Sequence, residues 1–270
     1  MQLETMYSER DGRVATIVLN RPHVLNCANE QWARDLNTIV DDLAADNQLR
    51  LVILRGAGRA FCSGIDLTAL AGGETTMTFF RNWEAALRKL EAMDPIVVAA
   101  VQSHCIGGGL QIVLACDLRV ARDDAQFGIT AIKEGIIPGI GMWRIARYAG
   151  LGRAKRLALA ADVIDAATAL DWGLVDWVVE TSAFEQKITE ITARVLAMAA
   201  TSTRLTKKLT NMAFETSFAD FVETYFEYQR ISTLSPEHHE AMAEHRAARA
   251  NRSSQIPNPK SQKPNQNMPG

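Results

Sequence analysis

Two short apolar runs, each preceded by an amphipathic helical pattern, constrain the fold of this chain more than any other feature. The runs cover residues 49–54 and 96–101, and their length suits strands that are buried on both faces. Residues 29–43 and 74–93 precede them and place apolar side chains at intervals of three and four. A β-branched run over residues 13–20 comes first. The order strand, helix, strand, helix, strand predicts parallel βαβ units.

Three consecutive glycines, Gly107, Gly108 and Gly109, stand between the second apolar run and a helical pattern over residues 110–116. Glycines at such a point let the backbone approach a ligand closely and leave N–H groups free at the helix start. Those groups would bind a phosphate, or a carbonyl oxygen that becomes negative during a reaction. A tight turn with close helix packing explains the same glycines equally well. Neither a Walker A motif nor a GxGxxG motif fits this sequence.

The pattern is almost entirely helical from about residue 152 onward. We predict an α/β core over residues 1–200 and a helical C-terminal part over residues 201–252. Residues 253–270 are rich in Pro, Asn, Gln, Ser and Lys and offer almost nothing to bury, so we expect a disordered tail there.

Charge and composition argue against several classes of protein. The chain has 29 Lys and Arg against 31 Asp and Glu, a net charge of -2, which disfavours nucleic acid as a partner. No stretch approaches the roughly 18 apolar residues of a spanning helix, and no signal-peptide core is visible. The 4 cysteines and 5 histidines show no metal-ligand spacing. We expect a cytoplasmic protein with reduced thiols, no metal and no membrane partner.

Glu134 differs from the other carboxylates because it lies in an apolar, glycine-rich segment, residues 132–139. Burial there would tune its carboxylate for proton transfer. A surface ion pair with Lys133 or Arg144 would explain the residue equally well. Residues 77–87 contain a stripe of apolar side chains at helical spacing. The stripe is either part of the core or the lining of a pocket. Its members are Met77, Phe79, Phe80, Trp83 and Leu87.

A series of motifs resembles the crotonase (enoyl-CoA hydratase/isomerase) superfamily. The blocks occur in the family's order and spacing and extend over roughly residues 10–250. They are NRP at 20–22 with LN at 25–26, GRAFCSGIDL at 58–67, GGG at 107–109, ACD at 115–117, AQFG at 125–128, GIIPG at 135–139, GLGRA at 150–154 and ALDWGLV at 169–175.

The resemblance implies an α/β fold, a crotonase-like spiral of βαβ repeats with a helical C-terminal trimerisation part. It also implies a homotrimer, or a hexamer made of two trimers. The implied activity is that of an enzyme acting on an acyl-CoA thioester through an enolate-like anion. Coenzyme A enters as part of the substrate, with no separate cofactor. By motif position, the oxyanion hole would be formed by the backbone N–H groups of Ile65 and Gly108.

The resemblance also implies the residues that contact the ligand. The backbone from Ile65 to Leu67 would lie against the adenine, and His23 is in a loop that often offers a basic side chain to the phosphates. The implied substrate and coenzyme A contacts are His23, Ser63, Gly64, Asp66, Leu67, Gly107 and Ala131.

Two positions depart from the family's hydratases, which carry a glutamate at each. Gln111 stands at the first position and Ala131 at the second. Glutamine can orient a water but exchanges no proton at neutral pH, and alanine does neither. We therefore expect Glu134 to act as a displaced acid/base, because positions i and i+3 of a helical turn share a face. Gln111 would then position water or the substrate's polar end.

Three alternatives stay open at this point. The first is a rerouted lyase or hydrolase of the same family. The second is a catalytically silent acyl-CoA binding protein, which the lost glutamates favour. The third is a role in assembly, with the C-terminal helices and the tail contacting another protein.

Overall fold

The computed structural model describes residues 1–255, with side chains described through residue 249. The strands are β1 Met6–Asp11, β2 Val14–Leu19, β3 Leu51–Gly56, β4 Ile96–Val101, β5 His104–Ile106, β6 Leu118–Arg122, β7 Gln126–Gly128, β8 Val163–Asp165 and β9 Trp177–Val179. The helices are α1 Glu30–Ala44, α2 Leu67–Ala71, α3 Met77–Ala92, α4 Gly108–Leu114, α5 Gly141–Ala149, α6 Leu151–Leu159, α7 Ala166–Asp171, α8 Phe184–Ala197, α9 Ala200–Asn211, α10 Phe218–Thr233 and α11 Pro236–Gln255.

The predicted parallel units form the larger of two sheets. Its strand order is β1-β2-β3-β4-β6-β9, with β1 antiparallel to β2 and every other pair parallel. Residues 51–54 of β3 and all of β4 are apolar because both of their faces are covered. On one face, Ile53 and Val98 pack with Ile188 of α8, while the other face packs into the main core. The apolar run begins at Leu49, but strand β3 begins two residues later, at Leu51. Leu49 belongs to a turn instead, because its N–H donates a hydrogen bond to the carbonyl of Asp46.

The second sheet has three strands in the order β5-β7-β8. Between β4 and β9 the chain passes back and forth between the two sheets, and this alternation generates the turns of the predicted spiral. The segment before α2 joins this arrangement through a parallel bridge between Cys62 and Cys105. Two helices, α1 and α3, cover the core, where the rings of Trp32 and Trp83 stack with centroids 4.8 Å apart.

The structure divides into a unit spanning Met1–Met198 and a second unit that begins at Ala199. The second unit contains the helices α9, α10 and α11. The domain boundaries at residues 200 and 252 stay predictions. Helix α11 runs to Gln255, and the rest of the predicted tail lies outside the described residues. Among the described helices, none combines the length and the apolar character that crossing a membrane requires.

Candidate active site

A short extended segment, residues 62–66, is held on both sides by backbone hydrogen bonds. On one side, Cys62 N–H donates to the His104 carbonyl at 3.0 Å, and Ile106 N–H donates to the Cys62 carbonyl at 3.0 Å. On the other side, Ala28 N–H donates to Gly64 O at 2.8 Å, and Asp66 N–H donates to Ala28 O at 2.9 Å. The backbone position of this segment is therefore fixed by strand-like pairing rather than by a ligand.

Gly64 allows this segment to pass very close to the start of α4. Its φ is +97°, a conformation that L side chains rarely adopt. A Cβ at this position would lie 2.9 Å from Ile106 O and 3.2 Å from Gly108 N. Gly107 also has a positive φ, +57°, and its N–H is bound to Gly128 O at 2.8 Å. Close approach and unusual φ together explain why glycine stands at both positions.

This packing leaves two backbone N–H groups without a protein acceptor. The N–H of Asp66 and the carbonyl of Gly64 face Ala28, so the intervening N–H of Ile65 points the other way. Among the described residues, no group accepts a hydrogen bond from Ile65 N–H. Gly108 is the first residue of α4, so its N–H has no acceptor within the helix. Both residues border the same pocket.

The pocket has a volume of about 520 Å³. Its apolar wall includes Phe80 and Trp83 of α3 and Ile136 and Ile137 of the loop that follows β7. Most of the residues that the sequence predicts for the site line it. These are Ser63, Gly64, Ile65, Leu67, Gly107, Gly108, Gln111, Ala131 and Glu134.

Gln111 lies in a slot between two glycines at the pocket wall. Its side chain is only 9% exposed. A Cβ at Gly141 would lie 2.4 Å from its Cγ, and one at Gly139 would lie 3.4 Å from its Oε1. Within the described residues the Gln111 amide has no hydrogen-bond partner. Because Gln111 borders the pocket, its amide is open to a hydrogen bond from a water or a ligand group there.

Glu134 closes a 3-10 helix, Ala131–Glu134, that borders the pocket. The expected helical turn is present, and side chains three residues apart in such a turn eclipse each other. The expectation that Glu134 is buried is wrong, because its side chain is exposed. The chain turns directly after Glu134, at Gly135, where φ is +70°. In the described part of the chain, Glu134 forms no ion pair with Lys133 or with Arg144.

Arg144 of α5 is instead paired with two carboxylates of α3. Its Nη1 and Nη2 donate to Glu84 at 3.1 and 2.8 Å, and its Nε and Nη2 donate to Glu91 at 2.6 and 3.0 Å. The Arg144 side chain is 3% exposed. Burial opposes its charge, but the hydrogen bonds that Arg144 donates to Glu91 and Glu84 outweigh that effect and raise the pKa of Arg144. This network joins α5 to the helix that lines the pocket.

Two predicted contacts, His23 and Asp66, do not line the pocket. The Asp66 carboxylate caps α2 by accepting from Thr68 N–H at 3.1 Å, and it pairs with Arg21 at 3.0 Å. Partial burial raises the pKa of Asp66, but hydrogen bonds from Arg21 and the helix N–H of Ala69 lower it overall. His23 is exposed on the 3-10 helix Pro22–Val24.

All four cysteines are free and buried, as the sequence predicts. Burial raises the pKa of Cys62 to about 12 and is also the main reason that the pKa of Cys27 rises to about 11. Burial likewise raises the pKa of Cys105. These thiols stay protonated at neutral pH, so they make poor nucleophiles.

Helix α3 supplies both the aromatic stripe and charged residues that the sequence analysis missed. Phe79 and Trp83 belong to the core and also line the pocket, whereas Leu87 belongs to the core alone. The missed residues of the pocket wall are Arg81, Glu84 and Arg88. Their spacing of three and four, which places them on one helix face, is the sequence feature that would have indicated them.

Known proteins resemble this chain in sequence and in fold. The family model described as enoyl-CoA hydratase/isomerase matches residues 9–246. The chain belongs to the enoyl-CoA hydratase/isomerase family. Within it, the short-chain-enoyl-CoA hydratase of Clostridium acetobutylicum is 33% identical over 219 residues, which are 80% of this chain and 84% of that protein.

Solved structures of the family share this fold. The crystal structure of an enoyl-CoA hydratase from Bacillus anthracis has a TM-score of 0.85 and 26% identity, covering 91% of this chain and 97% of that one. A Thermobifida fusca protein named a putative enoyl-CoA hydratase, in complex with CoA, has a TM-score of 0.78 and 30% identity, covering 85% and 94%. The chain therefore has the crotonase fold and is a hydratase- or isomerase-like enzyme of acyl-CoA thioesters.

Proposed function

We propose that the enzyme holds the carbonyl oxygen of an acyl-CoA thioester between the N–H groups of Ile65 and Gly108. The observation that supports this most directly is that, among the described residues, neither N–H group has an acceptor, and both border one pocket. Fixed donors of this kind stabilise an oxygen that becomes negative, typically by ~3–4 kcal/mol per donor. A thioester polarised in this way forms an enolate-like anion more readily.

The proton and the water are handled by Glu134 and Gln111 in this proposal. The small side chain of Ala131 leaves space beside the 3-10 turn. On the same turn, the carboxylate of Glu134 forms no ion pair with any described residue. The unpartnered amide of Gln111 orients a water, or the polar end of the substrate. In hydration, the water oxygen bonds to the β-carbon of the enoyl group, and a proton adds to the α-carbon. In isomerisation, one proton leaves a carbon of the acyl chain, and a proton is added at a different carbon of the acyl chain.

A silent acyl-CoA binding protein is the second candidate. It is favoured by Gln111 and Ala131, since neither side chain can transfer a proton. A rerouted lyase or hydrolase of the same family would also use the proposed oxyanion hole.

Further properties belong to the same proposal. We propose that the reaction requires no cofactor beyond the coenzyme A of the substrate, with neither nucleic acid nor membrane as partner. A trimer or a hexamer of two trimers is supported by α10, where Phe218 is 83% and Phe226 is 60% exposed. The buried free cysteines suit a cytoplasmic location.

The test is to incubate the purified protein with crotonyl, longer enoyl, cyclic and aromatic enoyl-CoA thioesters. Binding is measured by calorimetry, and the recovered thioesters are analysed by chromatography and mass spectrometry. The proposal predicts binding with conversion, either a mass gain of one water or a shifted double bond. Binding with every thioester returned unchanged would favour the silent binder instead.

The role of Glu134 is tested by Glu134→Gln, which keeps the side-chain size but cannot exchange a proton. We expect turnover to be lost while acyl-CoA affinity stays unchanged. Glu4→Gln serves as the control, because Glu4 is also exposed and lies outside the pocket. An unchanged rate in Glu134→Gln would remove Glu134 from the mechanism.

A further inference from the structure

The wall that α3 contributes to the pocket carries two arginines on one face. Arg81 and Arg88 stand seven residues apart, about 10 Å along the helix axis, so they project in similar directions. Ala85 lies between them on the same face, and all three line the pocket. The small side chain of Ala85 leaves open space between the two longer ones.

Both arginines are exposed and lack an ion-pair partner among the described residues. In the part of the chain with described side chains, no carboxylate forms an ion pair with Arg81 or Arg88. Glu84 lies on the same wall, but both of its oxygens already accept hydrogen bonds from Arg144. Glu134, the other carboxylate of the pocket, pairs with neither arginine. Two guanidinium groups are thus available to an anion inside the pocket.

The rest of the α3 wall connects these arginines to the proposed oxyanion hole. A Cβ at Gly108 would lie 2.7 Å from the ring of Trp83, so this ring covers the start of α4. Arg88 follows Trp83 by five residues, about 7 Å along the axis and roughly 140° around it, so Arg88 lies at the exposed edge of the pocket while Trp83 is buried. Phe80 and Trp83 supply apolar surface to this wall, and Glu84, which is paired with Arg144, also borders the pocket. A ligand that suits this wall has an apolar middle and an anionic far end.

We propose that the enzyme prefers acyl-CoA thioesters whose acyl chain ends in a carboxylate, bound by Arg81 and Arg88. This inference rests on the proposed binding of a thioester at Ile65 and Gly108. A guanidinium group presents paired donors that match the two oxygens of a carboxylate. Arg81 and Arg88 are both exposed, so a purely hydrocarbon acyl chain would leave them to water and gain no ion pair from them.

The phosphates of coenzyme A are a second source of anionic oxygens, and the experiment separates the two. The probes are 2-enoyl thioesters of increasing chain length with a terminal carboxylate, each paired with the terminal carboxamide of the same shape and no charge. Each pair is prepared both on coenzyme A and on pantetheine, which has no phosphate. Equilibrium affinity is measured by calorimetry, so the result does not depend on turnover.

We expect at least one carboxylate to bind roughly 3- to 30-fold more tightly than its carboxamide on both carriers, the range that two exposed ion pairs allow. Arg81→Gln and Arg88→Gln should reduce that preference, and the double variant should abolish it. Arg13→Gln is the control, because Arg13 is an exposed arginine outside the pocket. Carboxamide affinity should be unchanged in all variants.

Three results would overturn the inference. Equal affinity of carboxylate and carboxamide would show that no acyl anion is recognised, while the proposed thioester binding would stand. A loss that affects both acyl types on coenzyme A and vanishes on pantetheine would assign the arginines to the phosphates. Failure of every thioester to bind would overturn the proposed function, and this inference with it.

Discussion

At the scale of single residues, the pocket has room for an acidic side chain at two positions, 111 and 131. Gln111 has nearly the size and shape of glutamate and already fits between Gly139 and Gly141. Ala131 is the first residue of the 3-10 helix and borders the pocket, so a longer side chain at this position has room to extend into the pocket. The site is therefore expected to accept a pair of acids without rearrangement of the backbone.

Gln111→Glu combined with Ala131→Glu should raise the hydration of crotonyl-CoA by about 100-fold or more over the unaltered enzyme. General acid-base catalysis typically contributes rate factors of this size. The matched control is Ala131→Gln, which adds the same bulk without a transferable proton. Steady-state rates measured on folded variants check the prediction. A double variant with native thermal stability and no gain would show that the backbone donors do not support hydration.

Cys62 predicts a pH dependence of stability. Its pKa is raised from the ordinary 9.0 to about 12 in the folded protein, so the folded state retains a proton that the unfolded chain loses. The stability from this group is present below pH 9 and falls as pH rises from about 9 to about 12, by up to about 1.4 kcal/mol per pH unit. Urea unfolding across this range should show a shallower decline in Cys62→Ala. Equal declines in both proteins would contradict the assignment.

At the scale of elements, the pocket depends on how α3 and α5 are joined. Arg144 is the link, since its guanidinium pairs with Glu84 and Glu91 while its side chain is almost fully buried. Removing one member of such a network leaves charges without partners in a poorly solvated place. The position of the α3 wall therefore depends on a residue that does not itself line the pocket.

Arg144→Met should lower the free energy of unfolding by about 3–5 kcal/mol, because it removes the buried guanidinium to which Glu84 and Glu91 are both bound. Adding Glu84→Gln and Glu91→Gln should restore part of that loss by removing the two carboxylate charges that faced the guanidinium. Thermal and urea unfolding provide the comparison. If the triple variant were no more stable than Arg144→Met, the loss would come from packing instead of charge.

Periodicity predicted the elements well but not these pairings. Strand β4 and helices α1 and α3 follow from local patterns, because burial on one face or two faces leaves a period in the sequence. Arg144 and its partners are 53 and 60 residues apart in sequence, a separation that no periodic pattern encodes. The exposure of Glu134 depends on the turn at Gly135 and on what packs beside it, which composition does not reveal.

At the scale of the whole molecule, family motifs predicted where the site residues would meet. The motifs around Gly64 and Gly107 are 43 positions apart, yet a Cβ on Gly107 would lie 3.6 Å from the Gly64 Cα. Composition could not predict this approach, because it depends on the pairing of residues 62–66 with β5. The sequence did not predict Arg81, Glu84 and Arg88 for the pocket, because charged residues at helical spacing are also typical of a solvated helix face.

The central claim is that Ile65 and Gly108 polarise a thioester carbonyl, and isotope-edited infrared spectroscopy of bound crotonyl-CoA tests it most directly. A ¹³C label on the carbonyl isolates its stretching band from the protein background. Two strong donors weaken the C=O bond, so the band should move to lower wavenumber on binding. Gly64→Ala should reverse that shift, since its Cβ would displace Gly108 N or Ile106 O, whereas Gly12→Ala should not, because its Cβ meets nothing within 4 Å. A bound thioester whose carbonyl band stays at its solution position would contradict the account.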